Sequence, residues 1–515
     1  MWTTTGCFRH WMIRAKGGTS ASPRSLTTTN SLTITPRTLC GPESRRSLGP
    51  FSVRRTLPAS SVLGSDVEMI AANHRCTGRT ATAMRTTLFS TTTTTTVATP
   101  HRHRAFSTRT SLTVDTTRTR PHTNEPSSAP MQDEYGAMDD SGQTYTYLNY
   151  PLENGQVLAE AQLRYQTYGQ LNETRDNVMV VCHALTGNAS LHAWWGDMLG
   201  PGKVFDTDKY LVVCCNILGS CYGSTSPVSI RPGTDQPYGL DFPDVSVKDT
   251  VRLQLCMLRD ELKVASVHAV VGGSFGGMQA VEFAVQAGST RAAFTDAHGQ
   301  PFCKHVVPIA CGAQHSAWQI AISEVQRQAI YQDPAWPTDP FRATHGLRVA
   351  RQLGMISYRT PQGYGSKFGR ERQRGRGDDD TDGPAYGSHA RWQVKSYLEY
   401  QGVKFLQRFD PVTYVKLTEQ MDSHDVTRQP AGSCPGTVSK EQVLGHVTIP
   451  VLVLGIDSDV LYPLAEQQEL ARLLPNATLE VIHSDDGHDG FLLEQEQVAA
   501  HIQHFLTLHE RPTTI

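Results

Sequence analysis

The sequence predicts an α/β fold with a mostly parallel sheet flanked by helices, because short apolar runs alternate with helix-compatible segments. Three apolar runs are rich in β-branched residues and suit buried strands, at 177–182, 267–271 and 449–455. Each of them ends in a loop that carries polar side chains. Because the carboxyl ends of parallel strands meet at one edge of a sheet, we expect these loops to form one site.

The run at 267–271 leads into the glycine-rich turn Gly-x-Ser-x-Gly at 272–276, and a helix-compatible segment follows at 277–287. Strand, turn and helix in this order are the nucleophile elbow of the α/β-hydrolase fold. Ser274 must adopt a strained backbone there, so its neighbours two residues away need to be nearly free of side chains. The amide of Phe275 then faces the reacting carbonyl from a helix N-terminus, which predicts an oxyanion donor. A plain strand-to-helix connection is the alternative interpretation.

An acid and a base follow the serine in the chain order that α/β-hydrolases use. The third apolar run ends in a loop with Asp459, and His488 lies in a glycine-rich loop after a strand predicted at 477–482. His488 would take the proton of Ser274, and Asp459 would fix the tautomer of His488 and stabilise its cation. Asp457, on the same loop as Asp459, is the alternative acid.

A second oxyanion donor is expected in the loop that follows the strand at 177–182. This loop reads His-Ala-Leu-Thr-Gly from residue 183, and the backbone amide of Leu185 is the candidate donor. His183 is interpreted as a structural residue that shapes the loop rather than as a base.

Several longer segments together resemble the homoserine O-acetyltransferase family, including its fungal serine O-acetyltransferase branch. The resemblance covers residues 145–508 and depends on the segments 182–187, 200–208, 216–225, 272–278, 318–330, 396–398, 408–410, 458–463 and 487–489. It implies an acyl-enzyme on Ser274, formed from acetyl-CoA and discharged onto the hydroxyl of L-serine or L-homoserine in cysteine or methionine biosynthesis. It also implies that Arg327 binds the acceptor's carboxylate and Asp489 its ammonium group, in a homodimer without a permanently bound cofactor.

The chain departs from the family pattern in several places, and two of these departures bear on the acceptor. Phe275 stands where homoserine enzymes commonly carry Met, and together with residues 221–225 it is slightly closer to the serine-acetylating branch. Residues 410–414 also differ from the usual family segment. An esterase or thioesterase with the same serine, acid and histidine is the alternative function, because transfer and hydrolysis differ only in whether an alcohol or water reaches the acyl-enzyme.

The stretch between the serine and the acid is longer than a bare α/β core requires. Residues 312–430 contain helix-compatible runs at 315–331 and 391–406, which predicts an inserted helical lid. Within the lid, residues 363–387 are rich in Gly, Arg and Asp and are predicted to form a flexible insertion. The acidic residues at 378–382 are interpreted as a solvated loop, since no complementary ligand spacing predicts a metal site.

Residues 1–140 are predicted to form a disordered basic extension that is rich in Ser, Thr and Arg. Residues 141–510 are predicted to form the acyltransferase domain. Residues 1–130 hold 17 Lys and Arg against 5 Asp and Glu, whereas the remainder holds 30 against 44. An N-terminus rich in Arg and Ser and poor in acids is typical of a mitochondrial transit peptide, so a mitochondrial location is predicted, with a cytoplasmic one as the alternative. A nucleic-acid-binding arm is the alternative that the sequence favours less, because aromatic residues are few and a recognisable motif is lacking.

The remaining composition predicts a soluble protein. No apolar run approaches the ~18 residues of a membrane span. The 11 cysteines lack paired C-x-x-C spacing, which argues against a zinc site and against a disulfide framework. We therefore expect neither a membrane nor a nucleic acid as a partner, and no bound metal.

Overall fold

An eight-stranded sheet lies at the centre of the computed structural model. The structure describes residues 141–372, 392–429 and 438–510, and the backbone of two short strands before them. The strands are β1 (Met131–Asp133), β2 (Gly136–Met138), β3 (Gln143–Pro151), β4 (Val157–Tyr168), β5 (Val178–Cys182), β6 (Leu211–Cys215), β7 (Val267–Gly273), β8 (Cys303–Ile309), β9 (Val451–Ile456) and β10 (Ala477–Ile482). In the large sheet the order is β10-β9-β8-β7-β5-β6-β4-β3, and only the β3–β4 and β4–β6 pairs are antiparallel.

Helices connect the strands and cover the sheet. The α-helices of the described residues are α1 (Val247–Asp260), α2 (Phe275–Ala287), α3 (Ala317–Tyr331), α4 (Thr344–Ser357), α5 (Pro361–Phe368), α6 (Gln393–Phe405), α7 (Pro411–Asp422), α8 (Lys440–Leu444), α9 (Leu464–Leu473), α10 (Gly490–Leu493) and α11 (Gln495–His509). The predicted mostly parallel sheet flanked by helices is confirmed.

The central strands are buried on both faces, which explains their continuous apolar runs. All five residues of β5 are buried. Val178, Val180 and Cys182 pack in the core that α1 and α2 cover, whereas Met179 and Val181 pack in a second core, against α11. Because successive side chains of a strand point to opposite faces of the sheet, this one short strand contributes side chains to both cores.

Four strands were predicted close to their observed positions. The runs at 177–182, 267–271, 449–455 and 477–482 are observed as β5, β7, β9 and β10, with ends that differ by at most two residues. No strand was predicted upstream of 177. The antiparallel strands β3 and β4 lie there, at the edge of the sheet, where alternating burial along β4 gives a weaker apolar signal than a fully buried strand does.

Helices α3 to α7 lie between β8 and β9, in the segment predicted to form a lid. The runs predicted at 315–331 and 391–406 are observed as α3 and α6. Helix α3 begins after Ser316, whose amide donates to the side-chain oxygen of Gln319, so that one amide at the start of the helix is satisfied.

The flexible insertion predicted at 363–387 starts too early, because residues 363–368 belong to α5. Thr360 caps this helix by accepting a hydrogen bond from the amide of Gly363, at 2.9 Å. Pro361 occupies the first helical position, where its fixed φ favours helix formation. The rest of that segment from 373 onward, with its acidic residues, lies outside the described residues, as does the predicted extension 1–140 apart from β1 and β2.

Candidate active site

Ser274 lies on a strained turn between β7 and α2. Its φ of 57° and ψ of −122° are unfavourable for a residue with a side chain. The turn is held from outside, because the Ser274 amide donates to the carbonyl of Ile309 at 2.9 Å. The two glycines of the motif are needed for space: a Cβ on Gly272 would overlap the carbonyl of Gly276, and a Cβ on Gly276 would overlap that of Cys182. The geometry is that of the predicted nucleophile elbow.

A line of hydrogen bonds joins Ser274, His488 and Asp459. The Ser274 Oγ lies 2.8 Å from His488 Nε2, and His488 Nδ1 lies 2.7 Å from Asp459 Oδ2. All three residues are buried. Since a carboxylate accepts hydrogen bonds, the contact places the ring proton on Nδ1 and leaves Nε2 to accept the hydroxyl proton of Ser274.

The carboxylate of Asp459 is oriented by its own loop. Its Oδ1 accepts hydrogen bonds from the amides of Leu461 and Tyr462, both at 2.8 Å. The alternative acid, Asp457, lies elsewhere: its Oδ2 contacts the exposed His483 at 2.8 Å. Of the two acids that the sequence left open, the structure places Asp459 against His488.

Ser274 opens into a cavity of about 40 Å³. Its wall comes from the loop after β5, from the lid and from the loops after β9 and β10, and includes Ala184, Leu185, Thr186, Tyr358, Met421, Leu461, Tyr462, His488, Asp489, Phe491 and Leu492. Most of these side chains are apolar. The cavity therefore offers the serine a small and mostly apolar space.

Of the two predicted oxyanion donors, Leu185 lines this cavity and Phe275 directly follows Ser274 in the chain. Phe275 is the first residue of α2, where a helix leaves its amides without intrahelical partners. His183 is fully buried, its Nδ1 contacts the carbonyl of Ala184 at 2.8 Å, and its Nε2 accepts from the amide of Ile217. Burial lowers the pKa of His183 to about 4, so a neutral ring shapes the loop.

Arg408, on the lid side, also holds this loop. Its Nη1 donates to the carbonyl of Thr186 at 2.7 Å and to the hydroxyl of Tyr222 at 2.8 Å. The sequence showed Arg408 within a family segment but gave no role for it. The contact between Arg408 and Thr186 joins residues more than 200 positions apart, so no short sequence pattern could predict it.

Arg327 is buried, but it does not line the cavity at Ser274. Its Nε donates to Glu324 at 2.9 Å and its Nη2 to Asp422 at 2.7 Å, whereas its buried Nη1 has no hydrogen-bond partner. The prediction gave Arg327 a full guanidinium fork for the acceptor's carboxylate. In the structure two of its three nitrogens already bind carboxylates of the protein.

A chain of contacts connects Arg327 with the histidine at the serine. The carboxylate of Asp422 lies 3.0 Å from His315 Nδ1, and His315 Nε2 lies 3.1 Å from the hydroxyl of Tyr462. The Tyr462 ring stacks on His488, with ring centroids 4.8 Å apart. Arg327 thus reaches His488 through three intervening side chains.

Asp489 lines the cavity, and a cation of the protein already binds it. Arg359, between α4 and α5, donates from Nε to Asp489 Oδ2 at 2.7 Å and from Nη1 to Asp486 at 2.6 Å. Asp489 was predicted to bind the acceptor's ammonium group. The sequence did not single out Arg359, since nothing local distinguishes it from other lid arginines.

Two further observations concern the described residues alone. No group of three or more His, Cys, Asp or Glu side chains among them is arranged to hold a metal ion. In the same part of the chain, no helix has the length and apolar character needed to span a bilayer. The seven cysteines found there are all free thiols.

Comparison with known proteins agrees with this architecture. A sequence model of the alpha/beta hydrolase fold matches residues 177–495. A homoserine O-acetyltransferase of Nostoc punctiforme is 42% identical over 358 residues, which cover 69% of this chain and 92% of that protein. A homoserine O-acetyltransferase of Salinibacter ruber is 45% identical over 358 residues, 68% of this chain and 94% of that protein. The crystal structure of homoserine O-acetyltransferase from Bacillus anthracis shares the fold, with a TM-score of 0.60 and 23% identity over 72% of this chain and 98% of that chain.

Proposed function

Since the chain belongs to the homoserine O-acetyltransferase family and has the α/β-hydrolase fold, we propose that it transfers an acetyl group from acetyl-CoA to the hydroxyl of L-homoserine or L-serine. The hydrogen-bonded line from Ser274 through His488 to Asp459 carries this proposal. Such a line activates a serine for covalent catalysis.

In the first half-reaction, Ser274 Oγ attacks the thioester carbonyl while His488 Nε2 accepts its proton. The amides of Phe275 and Leu185 stabilise the negative charge that develops on the carbonyl oxygen. The carbon–sulfur bond then breaks, the sulfur takes the proton from His488, and free thiol leaves acetyl-Ser274 behind.

In the second half-reaction, the acceptor's hydroxyl repeats the attack on acetyl-Ser274. His488 accepts the hydroxyl proton and then returns it to Ser274 as the ester bond to the enzyme breaks. The acetyl group is now an ester of the amino acid, and the free serine is restored. The apolar wall of the cavity favours transfer, because it limits the access of water to the acyl-enzyme.

The two acceptors differ by one methylene, which a pocket distinguishes by only ~1–3 kcal/mol. The names of the relatives favour homoserine. Phe275 and residues 221–225, which are slightly closer to the serine-acetylating branch, favour serine. Both acceptors therefore belong in the test.

The test follows thiol release from acetyl-CoA with no acceptor, with L-homoserine and with L-serine, and identifies the product by mass spectrometry. We expect slow release alone, a large acceleration by one amino acid, and an acetyl adduct on Ser274 when the acceptor is withheld. Release that is equally fast without an acceptor would instead assign a thioesterase. The absence of any release would refute an acetyl-CoA-dependent enzyme.

The acceptor would be oriented by its charges. We propose that Asp489 contacts its ammonium group and that Arg327 contacts its carboxylate, each next to a partner already in the protein. We also propose that the active enzyme is a homodimer in mitochondria. Light scattering measures the mass in solution, and a monomeric mass would contradict the dimer.

A further inference from the structure

The lid touches the turn that carries His488. We call residues 358–360, between α4 and α5, the strap, and residues 485–489 the histidine turn. The hydroxyl of Thr360 donates to the carbonyl of Asp485, and the amide of Asp489 donates to the carbonyl of Tyr358 at 3.2 Å. The strap therefore binds both ends of the histidine turn.

Arg359 binds the same turn through charge. It donates to the carboxylates of Asp486 and Asp489 at 2.6 and 2.7 Å. Its side chain is only 16% exposed. Burial alone would disfavour the cation, but Asp489 and Asp486 more than offset this effect and raise the pKa of the guanidinium. Arg359 thus stays charged and holds the residues on either side of Gly487 and His488.

The close approach of strap and turn requires Gly487. Its φ of +65° is a conformation that glycine adopts without strain. A Cβ at this position would lie 3.1 Å from both the carbonyl oxygen of Tyr358 and a side-chain carbon of Thr360. The histidine turn and the strap therefore pack closely only with glycine at this position, which supports the contact independently of the ion pairs.

We propose that Arg359 is a positioning residue of the acetyl-transfer reaction, which fixes the histidine turn from the lid so that His488 keeps its place against Ser274. The inference rests on the proposed function. In the chain, His488 lies between the two aspartates that Arg359 binds, so without the cation the two carboxylates of the histidine turn repel each other. A displacement of about 1 Å at a reacting group can cost on the order of 10²-fold in rate.

The test uses p-nitrophenyl acetate as well as acetyl-CoA, because the small ester acetylates Ser274 without an acceptor and without CoA. For Arg359→Ala we expect the pre-steady-state burst to slow by about 10- to 100-fold, with a full-size burst amplitude. Arg359→Lys should recover part of the rate, since a lysine can bind one carboxylate but does not match both. The KM for acetyl-CoA should change little, whereas kcat should fall.

The matched control is Arg348→Ala on α4 of the same lid, where the arginine makes a surface ion pair with Glu399 at 3.4 Å. Its burst rate should equal that of the wild type. Millimolar methylguanidinium should accelerate Arg359→Ala and leave Arg348→Ala unchanged, which a general loss of folding would not do.

The outcomes separate the two proposals. A burst at the wild-type rate in Arg359→Ala would overturn the positioning role, as would a slow burst that neither lysine nor methylguanidinium improves. A wild-type enzyme that shows the burst but never acetylates an amino acid would refute the proposed function. It would not refute the positioning role, because the burst rates of wild type and Arg359→Ala could still be compared. A raised KM for acetyl-CoA with an unchanged burst would place Arg359 in the donor site instead.

Discussion

Replacing Asp459 with Asn tests the proposed mechanism at the level of single hydrogen bonds. The amides of Leu461 and Tyr462 both donate to Asp459 Oδ1. In Asp459→Asn, these two donors select the orientation in which the amide oxygen faces them. The Asn nitrogen then faces His488 Nδ1, where the carboxylate oxygen was.

The consequence is a change of tautomer. An Asn nitrogen can only donate, so His488 Nδ1 must become the acceptor and the ring proton moves to Nε2. His488 Nε2, which lies 2.8 Å from the Ser274 Oγ, can then no longer accept the serine proton. The same change in a serine protease, a worked case of this effect, lowers kcat by about 10⁴-fold. We expect a loss of similar size here, which corresponds to ~5 kcal/mol in the barrier.

The measurement is kcat for thiol release from acetyl-CoA in the presence of the better acceptor. Asp457→Asn is the matched control, since Asp457 lies on the same loop but contacts the exposed His483. It should change kcat by less than about twofold, as surface substitutions away from a functional site usually do. Thermal unfolding of both variants checks that they fold. A variant Asp459→Asn with more than about a tenth of the wild-type kcat, or an Asp457→Asn that is equally damaged, would refute the tautomer argument.

Three further predictions concern other parts of the chain. Arg327→Ala should slow transfer to the amino acid by about 10- to 100-fold, because a charge-assisted hydrogen bond to the acceptor is lost. The rate at which acetyl-CoA acetylates Ser274 should change little. The reverse pattern in single-turnover experiments would place Arg327 in the donor site. Burial raises the pKa of Glu282 from 4.5 to about 7, so the folded protein loses stability as the pH rises from 4.5 through 7 and this buried carboxyl ionises. Glu282→Gln should therefore stabilise the protein at pH 8 by up to ~3 kcal/mol in urea unfolding. Equal stability of variant and wild type at both pH 5 and pH 8 would contradict this prediction. Deletion of residues 1–130 should leave kcat intact, and residues 1–60 should carry a fluorescent protein into mitochondria; cytosolic fluorescence would contradict the targeting prediction.

The sequence was most informative where a functional residue directly follows a buried strand. Ser274 follows β7, and Asp459 lies three residues after β9. His488 lies six residues after β10. Parallel strands bring these three loops to one edge, so local patterns in the chain were enough to predict the juxtaposition. The choice between Asp457 and Asp459 needed the structure, because the two residues lie on the same loop and only the backbone conformation determines which carboxylate points toward His488.

The lid residues were not predictable in the same way. Arg359 follows α4 and Asp422 ends α7, and neither helix was among the helical runs predicted from the sequence, whereas His315 begins the predicted run at 315–331. Their contacts join residues about a hundred or more positions apart. Tertiary packing therefore decides which of the many polar lid side chains contact the wall of the cavity at Ser274, and no periodicity in the chain indicates that choice.

The charges around the two arginines bear on how the proposed amino-acid acceptor would bind, because both guanidinium groups already have partners in the protein. Each guanidinium contacts two carboxylates, Glu324 and Asp422 around Arg327, and Asp486 and Asp489 around Arg359. Both groups therefore carry an excess negative charge, which favours the acceptor's ammonium group at Asp489 and opposes its carboxylate at Arg327.

The two partners of Arg327 differ in how easily they can be displaced. Glu324 is 45% exposed, whereas Asp422 is 21% exposed and is also held by His315. A solvent-exposed ion pair contributes little to stability, so we expect the acceptor's carboxylate to use the unpartnered Nη1 of Arg327 and to displace Glu324 rather than Asp422. Glu324→Gln should then lower the KM for the acceptor and leave the KM for acetyl-CoA unchanged. A raised acceptor KM in this variant would show that Glu324 orients Arg327 instead of competing for it.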